Sequence, residues 1–426
     1  NYTHSVDLWM KNSGLIIDCD EKKNALRNLF KNSKVAFIYG AAGTGKSTMI
    51  NYISSLFKDK QKIFLANTNP AVENLRRKVT AEHAEFVTIT KFLSKDVSND
   101  CDILCLDECS TISNRDMVRV LQRAQCKLLV LVGDIYQIES ILFGNWFNIA
   151  YKVMPKDSVA ELTRPHRTTV QGLIEVWNKV REITEDRLEF ITRNGLSSTL
   201  DESIFSRTEE DEIVLCLNYD GIYGINNINK FLQSNNVNPS INWGVLSYKV
   251  GDPVLFNESN RFAPLVYNNL KGKILQIEEE EDCIYFTIEV YTVLNELDVI
   301  GFDLELKESV TDETSVIRFK VGRGGDGNDD NDNVENVVPF QVAYAISIHK
   351  AQGLEYESVK VVITSEIEEM VSHNIFYTAI TRAKSKLKIY WSPETEKRIL
   401  ENMKVQFNDK DYQLFKAKYK EALLKS

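Results

Sequence analysis

The sequence predicts an α/β protein with two parallel-sheet units and a small all-β insert in the second. Three observations carry this. Short apolar strands alternate with helical stretches, a glycine-rich loop joins the first of these strands to the helix after it, and residues 250–337 lose the helical period. Residues 35–39 form an apolar, strand-like run, followed by that loop and a helical run over 46–57. Residues 62–66, 103–106 and 128–132 repeat the strand pattern, and residues 359–363 and 387–391 supply a second set. In the insert, β-branched and aromatic residues alternate over 285–291, with turns at Gly251-Asp252 and Lys271-Gly272. It closes on a Gly- and Asp-rich stretch over 322–332, expected to be a mobile loop because it has nothing to bury. The expected domains are therefore 1–160, then 161–249 with 338–392, with the insert at 250–337 and a helical tail at 393–426.

With 426 residues, of which 43% are hydrophobic and 26% charged, the chain can bury a core without metals or disulfides. No apolar run approaches the roughly 18 residues of a membrane span, and the N-terminus lacks a signal-peptide core. A chain beginning at Asn1 rather than Met points to removal of an upstream segment. Membrane, secreted-scaffold and fibrous classes are excluded. The seven cysteines include no CxxC pair and read as small buried hydrophobes, which suits a reducing cytoplasm.

A net charge of −10 argues at first against nucleic acid, but the charge is uneven. Residues 1–160 carry +4, 161–250 carry −4, 251–340 carry −13 and 341–426 carry +3. Phosphate binding depends on where cations lie rather than on their total, so a local basic groove is compatible with this balance.

The glycine-rich loop is Gly40-Ala41-Ala42-Gly43-Thr44-Gly45-Lys46-Ser47, followed by Thr48. It fits G-x-x-x-x-G-K-[ST] between a strand and a helix. In that pattern backbone N–H groups cradle phosphates, the lysine reaches the β/γ-phosphates, and the hydroxyl of Ser47 ligates Mg²⁺. About 60 residues on, Asp107-Glu108 follows a strand, where Asp107 would hold the metal and Glu108 would polarise an attacking water. Alone, such a pair is more often a helix-start acid; with the loop upstream, it reads as catalytic. Gln137, after the next strand, is placed to sense a γ-phosphate.

These elements, in this order, resemble the superfamily 1 helicases. Residues 68–75, beginning Thr68-Asn69, resemble that family's first DNA-contacting motif, and residues 88–93, containing Thr90 and Lys91, its T-I-x-x-F-L partner. Residues 162–167, ending in Arg167, resemble the segment that opens the second motor domain. Residues 344–355 match Y-A-I-T-x-H-K-x-Q-G-x-E, with His349, Lys350, Gln352, Gly353 and Glu355, and residues 377–384 match the final motif, with Arg382. The RecD/Dda/Pif1-like branch fits best, because residues 251–256 and 269–274 resemble its SH3-like insert.

The resemblance implies two RecA-like P-loop motor domains with that insert, hydrolysing ATP with Mg²⁺ and translocating along single-stranded DNA, 5′ to 3′. It implies arginine fingers at Arg167 and Arg382, and nucleotide contacts at Gly353 and Glu355. Strand contacts are implied at Thr68, Asn69, Thr90, Lys91, His349, Lys350 and Gln352. Three departures stand out. Lys22 occupies the place of the glutamine that reads adenine, which opens the site to other NTPs. About 14 residues separate Phe92 from Asp107, little room for the branch's duplex-splitting hairpin. The insert carries Glu278-Glu279-Glu280-Glu281-Asp282, which would repel DNA or dock a basic protein partner. An RNA-dependent motor and a nucleotide-gated sensor subunit of a defence or repair complex are the alternatives.

Overall fold

In the N-terminal sheet, alternate residues of each strand supply two separate cores. In β1 (Val35–Gly40), Ala36 and Ile38 join one buried cluster while Phe37 joins the other. In β2 (Lys62–Ala66), Phe64 parts from Ile63 and Leu65 in the same way. This is the period-two signature of strands covered on both faces. The sheet also holds β3 (Ala84–Thr88), β4 (Asp100–Leu106), β5 (Gln125–Gly133) and β6 (Val159–Leu162). The strand order is β3-β2-β4-β5-β1-β6, and every pairing is parallel.

Helices α1 (Tyr2–Asn12), α2 (Asp20–Asn28), α3 (Lys46–Leu56), α4 (Asn69–Lys78), α5 (Ile89–Leu93), α6 (Asn114–Arg123) and α7 (Trp146–Val153) fall in the same part of the chain. Helix α3 puts Met49, Ile50 and Ile53 into the first cluster, and α7 stacks Phe147 on Phe37 at 4.3 Å in the second. The carboxyl ends of β1, β2, β4, β5 and β6 emerge along one edge, where open parallel sheets bind ligands.

This computed structural model describes every residue except 1, 15, 16, 18, 95–98, 138–144, 165, 167, 258–260, 264, 310, 324–335, 405–408 and 426. Two compact units result. The first comprises Asn1–Asn194, Met370–Ser385 and Ile399–Ser426; the second comprises Gly195–Glu369 and Lys386–Arg398. Two stretches assigned from sequence to the second domain therefore pack with the first unit: residues 161–194, with α8 (Gln171–Glu182) and α9 (Arg187–Arg193), and residues 370–385, with α11 (His373–Ile380). Trp177 Nε1 donates to the carbonyl of Ile380 at 3.0 Å, and His373 Nε2 lies 2.8 Å from the carbonyl of Val180. Polar groups at both ends of the α8–α11 contact thus find partners in each other's element.

The second unit holds a sheet ordered β17-β8-β18-β19-β7. Its strands are β7 (Ser197–Ser198), β8 (Glu212–Cys216), β17 (Ala345–Ser347), β18 (Tyr356–Val362) and β19 (Ala383–Tyr390), the last beginning in the first unit. The β17–β8, β8–β18 and β19–β7 pairs are parallel. Helix α10 (Ile225–Ser234) buries Ile225, Ile228 and Leu232 against this sheet. The hairpin β9 (Ser240–Trp243) and β10 (Leu246–Lys249) then leads into an antiparallel sheet ordered β14-β15-β13-β12-β11-β16.

The members of that sheet are β11 (Pro253–Phe256), β12 (Lys271–Glu279), β13 (Cys283–Val290), β14 (Glu305–Lys307), β15 (Ser315–Gly322) and β16 (Phe340–Val342). Phe256, Phe262, Phe286, Phe319 and Phe340 fill its core. The closing strand β16 lies beyond residue 337, where the insert was expected to end, because Phe340 pairs with Phe256 and Val342 with Val254. Residues 324–335 of the expected mobile loop lie outside the described residues. In the acidic run, Glu278 pairs with Arg318 at 2.6 Å and Glu279 with Arg323 at 2.9 Å, so part of its charge is met within the insert. Helices α12 (Pro393–Asn402) and α13 (Asp409–Lys425) form the tail, and Asp411 accepts from Asn145 at 2.7 Å. Among the described residues no helix is long and apolar enough to cross a membrane.

One buried ion pair fastens the second sheet. Lys360 Nζ lies 3.0 Å from Glu212 Oε1, with side chains 6% and 2% exposed. Thr208 and Ser358 hydroxyls donate to the other carboxylate oxygen, and Lys360 also donates to the carbonyls of Ser203 and Ser206. Lys360→Met strands a buried carboxylate and is expected to lower unfolding free energy by about 3–5 kcal/mol, read from urea melts. A loss below about 1 kcal/mol would show that the two hydroxyls alone satisfy Glu212.

Candidate functional site

The glycine-rich loop leaves β1 at Gly40, where a side chain does not fit. A Cβ there would stand 2.4 Å from the Leu162 carbonyl on β6 and 2.6 Å from Thr44 Oγ1. Gly43 and Gly45 then take φ of 77° and 82°, conformations that glycine adopts at little cost, and the second caps α3. Ala41, Ala42 and Thr44 are buried, Gly43, Gly45, Lys46 and Ser47 are half-buried, and Thr48 is exposed on α3. Lys46 Nζ donates to the carbonyls of Gly40 at 2.8 Å and Ala41 at 2.9 Å, folding back along the loop.

Strand β4 delivers Asp107 and Glu108 to the same sheet edge, with β5 between β4 and β1. Asp107 N donates to Leu65 on β2 at 2.8 Å, and its Oδ1 accepts from the Glu108 amide at 2.9 Å. Glu108 is held at φ 50°, ψ 40°, left-handed backbone that costs a non-glycine residue about 1–2 kcal/mol. Strain of this kind gathers at working sites. Burial and the neighbouring Asp107 push the Glu108 carboxyl up to about 7, against the pull of Arg382, Lys46 and Lys78. Burial raises Asp107 too, countered by the Glu108 amide and by Lys46 and Lys78.

After β5, Asp134 is buried, its Oδ1 accepts from the Tyr136 amide at 3.0 Å, and its Oδ2 has no partner among the described residues. Gln137 follows, half-buried, its amide donating to the Asp134 carbonyl at 3.4 Å. Arg382, expected in the second domain, belongs to the first unit. It is 2% exposed, with Nε donating to the Thr378 carbonyl at 2.9 Å and Nη2 to Thr381 Oγ1 at 3.2 Å. Its charge acts on both Glu108 and Asp134. Arg167 lies outside the described residues.

Thr68 and Asn69 are exposed where β2 runs into α4, and Thr90 and Lys91 are exposed where β3 runs into α5. β2 and β3 pair with Ala66 opposite Thr88, so these two turns are neighbours. Thr68 Oγ1 is occupied as the α4 cap, accepting from Ala71 N at 3.4 Å. In the second unit, the turn after β17 carries His349, Lys350, Gln352 and Gly353, the last at φ 81°. Lys350 Nζ donates to Gln341 at 2.9 Å, the Gln352 side-chain nitrogen is buried without a partner among the described residues, and the Glu355 carbonyl accepts from Lys271 at 3.1 Å. Part of the stretch between Phe92 and Asp107 lies outside the described residues.

Sequence reasoning missed several groups around the loop. Tyr377 Oη accepts from the Ala42 amide at 3.4 Å, and the Tyr136 ring stands edge-on to Tyr377 and His373 with the Arg181 guanidinium 5.8 Å above it. Tyr377 and Tyr136 sit inside recognised motifs, but nothing in the local pattern indicates what their side chains touch.

Family profiles match two stretches: an AAA domain over residues 19–201 and a UvrD-like helicase C-terminal domain over 342–390. The chain is 23% identical to the RecD subunit of the RecBCD enzyme from Buchnera aphidicola subsp. Schizaphis graminum, over 91% of this chain and 78% of that one. The chain resembles the RecD/Pif1-like branch of the superfamily 1 helicases. It is an enzyme of the nucleic-acid-dependent ATPase class. An uncharacterized protein of Methanocaldococcus jannaschii, MJ1519, is 24% identical over 86% of this chain, which spans 37% of that protein's length. The helicase fold is also that of Bacteroides Pif1 crystallised with ADP-AlF3 and single-stranded DNA, at 16% identity, a TM-score of 0.55 and coverage of 96% and 98%.

Proposed function

We propose that this helicase is an ATP-dependent translocase on single-stranded DNA, acting in the cytoplasm and moving 5′ to 3′. The observation that carries the reading is the grouping, in one compact unit, of the phosphate loop, the Asp107-Glu108 pair and the buried Arg382. Phosphoryl transfer asks for positioning and charge neutralisation, and these groups supply both. Backbone amides of residues 41–47 and the α3 N-terminus bind the β- and γ-phosphates, and Lys46 swings from its loop carbonyls onto them. Glu108 orients the attacking water and takes its proton. Gln137 reports on the γ-phosphate, and Arg382 and Arg167 meet charge developing in the transition state. Gly353 and Glu355 complete the nucleotide contacts.

Ser47 and Asp107 offer hard oxygen donors to Mg²⁺, and a carboxyl destabilised by burial suits a cation. No cluster of three acidic, His or Cys ligands occurs among the described residues, so the ion would draw its other ligands from phosphate and water. Bound there, it would neutralise phosphate charge.

The exposed Thr68, Asn69, Thr90 and Lys91, with His349, Lys350 and Gln352, track the strand backbone with little sequence preference. The antiparallel sheet of the second unit, bulged between Ile274 and Gln276, is the SH3-like insert, and its acids that have no ion-pair partner among the described residues are where a basic partner would dock. ATP is the proposed substrate, with DNA favoured over RNA.

A second reading, translocation or nucleotide-gated assembly with little unwinding, is favoured by spacing. Only six residues separate the end of α5 at Leu93 from the start of β4 at Asp100. Strand displacement on 5′-tailed and 3′-tailed forks tests both. Opening of the 5′-tailed fork alone supports the first reading, and opening of the 3′-tailed fork alone overturns the polarity. Closed forks with DNA-stimulated hydrolysis support the second. Arg382→Lys keeps the charge but loses the planar fork, and is expected to slow hydrolysis about tenfold with nucleotide affinity little changed. An unchanged rate would remove Arg382 from the chemistry.

A further inference from the structure

Lys22 stands in the first turn of α2 and is 2% exposed, a rare burial for a lysine. Its Nζ lies against the phosphate loop: a Cβ added to Gly45 would meet it at 2.7 Å and its Cε at 3.1 Å. Gly45 precedes Lys46 and caps α3, so the ammonium sits beside the positive end of that helix. Among the described residues its polar partner is His166 Nε2, 3.1 Å away, an imidazole that must be neutral to accept.

His166 is fixed from two sides. Its amide donates to the Gly43 carbonyl at 2.5 Å, and Glu21 anchors the end of β6 by accepting from Thr163 N at 2.9 Å and Thr163 Oγ1 at 2.7 Å. Glu21 Oε1 is thus engaged with Thr163, while its Oε2 is buried without a partner among the described residues. A buried cation, a neutral partner and a helix N-terminus converge on one point, and an anion is what such a point lacks.

We propose that Lys22 is a second phosphate-binding cation of the loop, positioned by His166, and that it is blind to the base. The proposal rests on the loop being the nucleotide site. Adenine's edge sets a donor beside an acceptor, which a carboxamide can match. An ammonium carries three donors and no acceptor, so it cannot satisfy the exocyclic amine. Phosphate oxygens are acceptors only, and every nucleoside triphosphate presents them. The place where the branch reads adenine is here given to the part of the substrate that does not vary.

The test is calorimetric titration of the full chain with ATP, GTP, CTP and UTP in turn, for the wild type, Lys22→Met and Lys22→Gln. The wild type is expected to bind all four with similar affinity. Lys22→Met should weaken all four by the same factor, roughly 10- to 100-fold for one charge-assisted contact. Lys22→Gln should weaken GTP, CTP and UTP most, leaving ATP preferred. Without nucleotide, Lys22→Met should melt no lower than the wild type, since it removes a buried charge that has no carboxylate partner among the described residues. Equal affinities in wild type and Lys22→Met, or a loss confined to ATP, would overturn the proposal. A wild type that binds none of the four would sink the nucleotide-site reading itself and this proposal with it, and is distinguishable for that reason.

Discussion

Lys46→Ala is expected to reduce Mg-ATP hydrolysis by about 10³-fold, the cost of removing one preorganised charge from a phosphoryl-transfer site. In the structure its ammonium spans the Gly40 and Ala41 carbonyls, at the point where the loop leaves β1. That contact is local and the helix begins at Lys46 itself, so alanine, a strong helix former, should leave the fold intact. Circular dichroism and urea melts on the variant separate lost chemistry from lost structure. Near-normal hydrolysis by a folded Lys46→Ala protein would remove the glycine-rich loop from the proposed reaction.

Glu108→Gln is expected to slow hydrolysis by roughly 10²–10⁴-fold, the range for loss of a general base. Gln matches the shape of Glu, so the left-handed backbone at Glu108 and the hydrogen bond its amide N–H donates to Asp107 Oδ1 can persist. It cannot take a proton from water. The same replacement removes a carboxyl that burial and Asp107 disfavour in its charged form, so the folded variant should be at least as stable as the wild type. Nucleotide should bind and stay bound. A stable, nucleotide-binding variant with a wild-type rate would assign the water to another residue.

Much of the first unit was legible because its signals are local. Strand period, the loop pattern and the acids after β4 each lie within a few residues, and the sheet places them on one edge as the alternation of elements implied. Arg382 was legible as a motif residue but misplaced, because what ties its segment to the first unit is packing between α8 and α11. The bonds that fix it join Trp177 to Ile380 and Val180 to His373, residues about 200 apart in the chain. The end of the insert was misread for a similar reason: Phe340 reads as part of a connection until it is paired with Phe256. The departure at Lys22 was visible in the sequence, but its consequence was not. Only the structure brings that ammonium to Gly45 and His166.

The most direct test of the account is Mg-ATP hydrolysis by the purified chain with and without oligo-dT, with Glu108→Gln as background. Slow turnover alone, a strong rise on adding the single strand, and no rise in the variant are the expected results. Turnover that is absent, or that ignores the strand at every concentration, would contradict it.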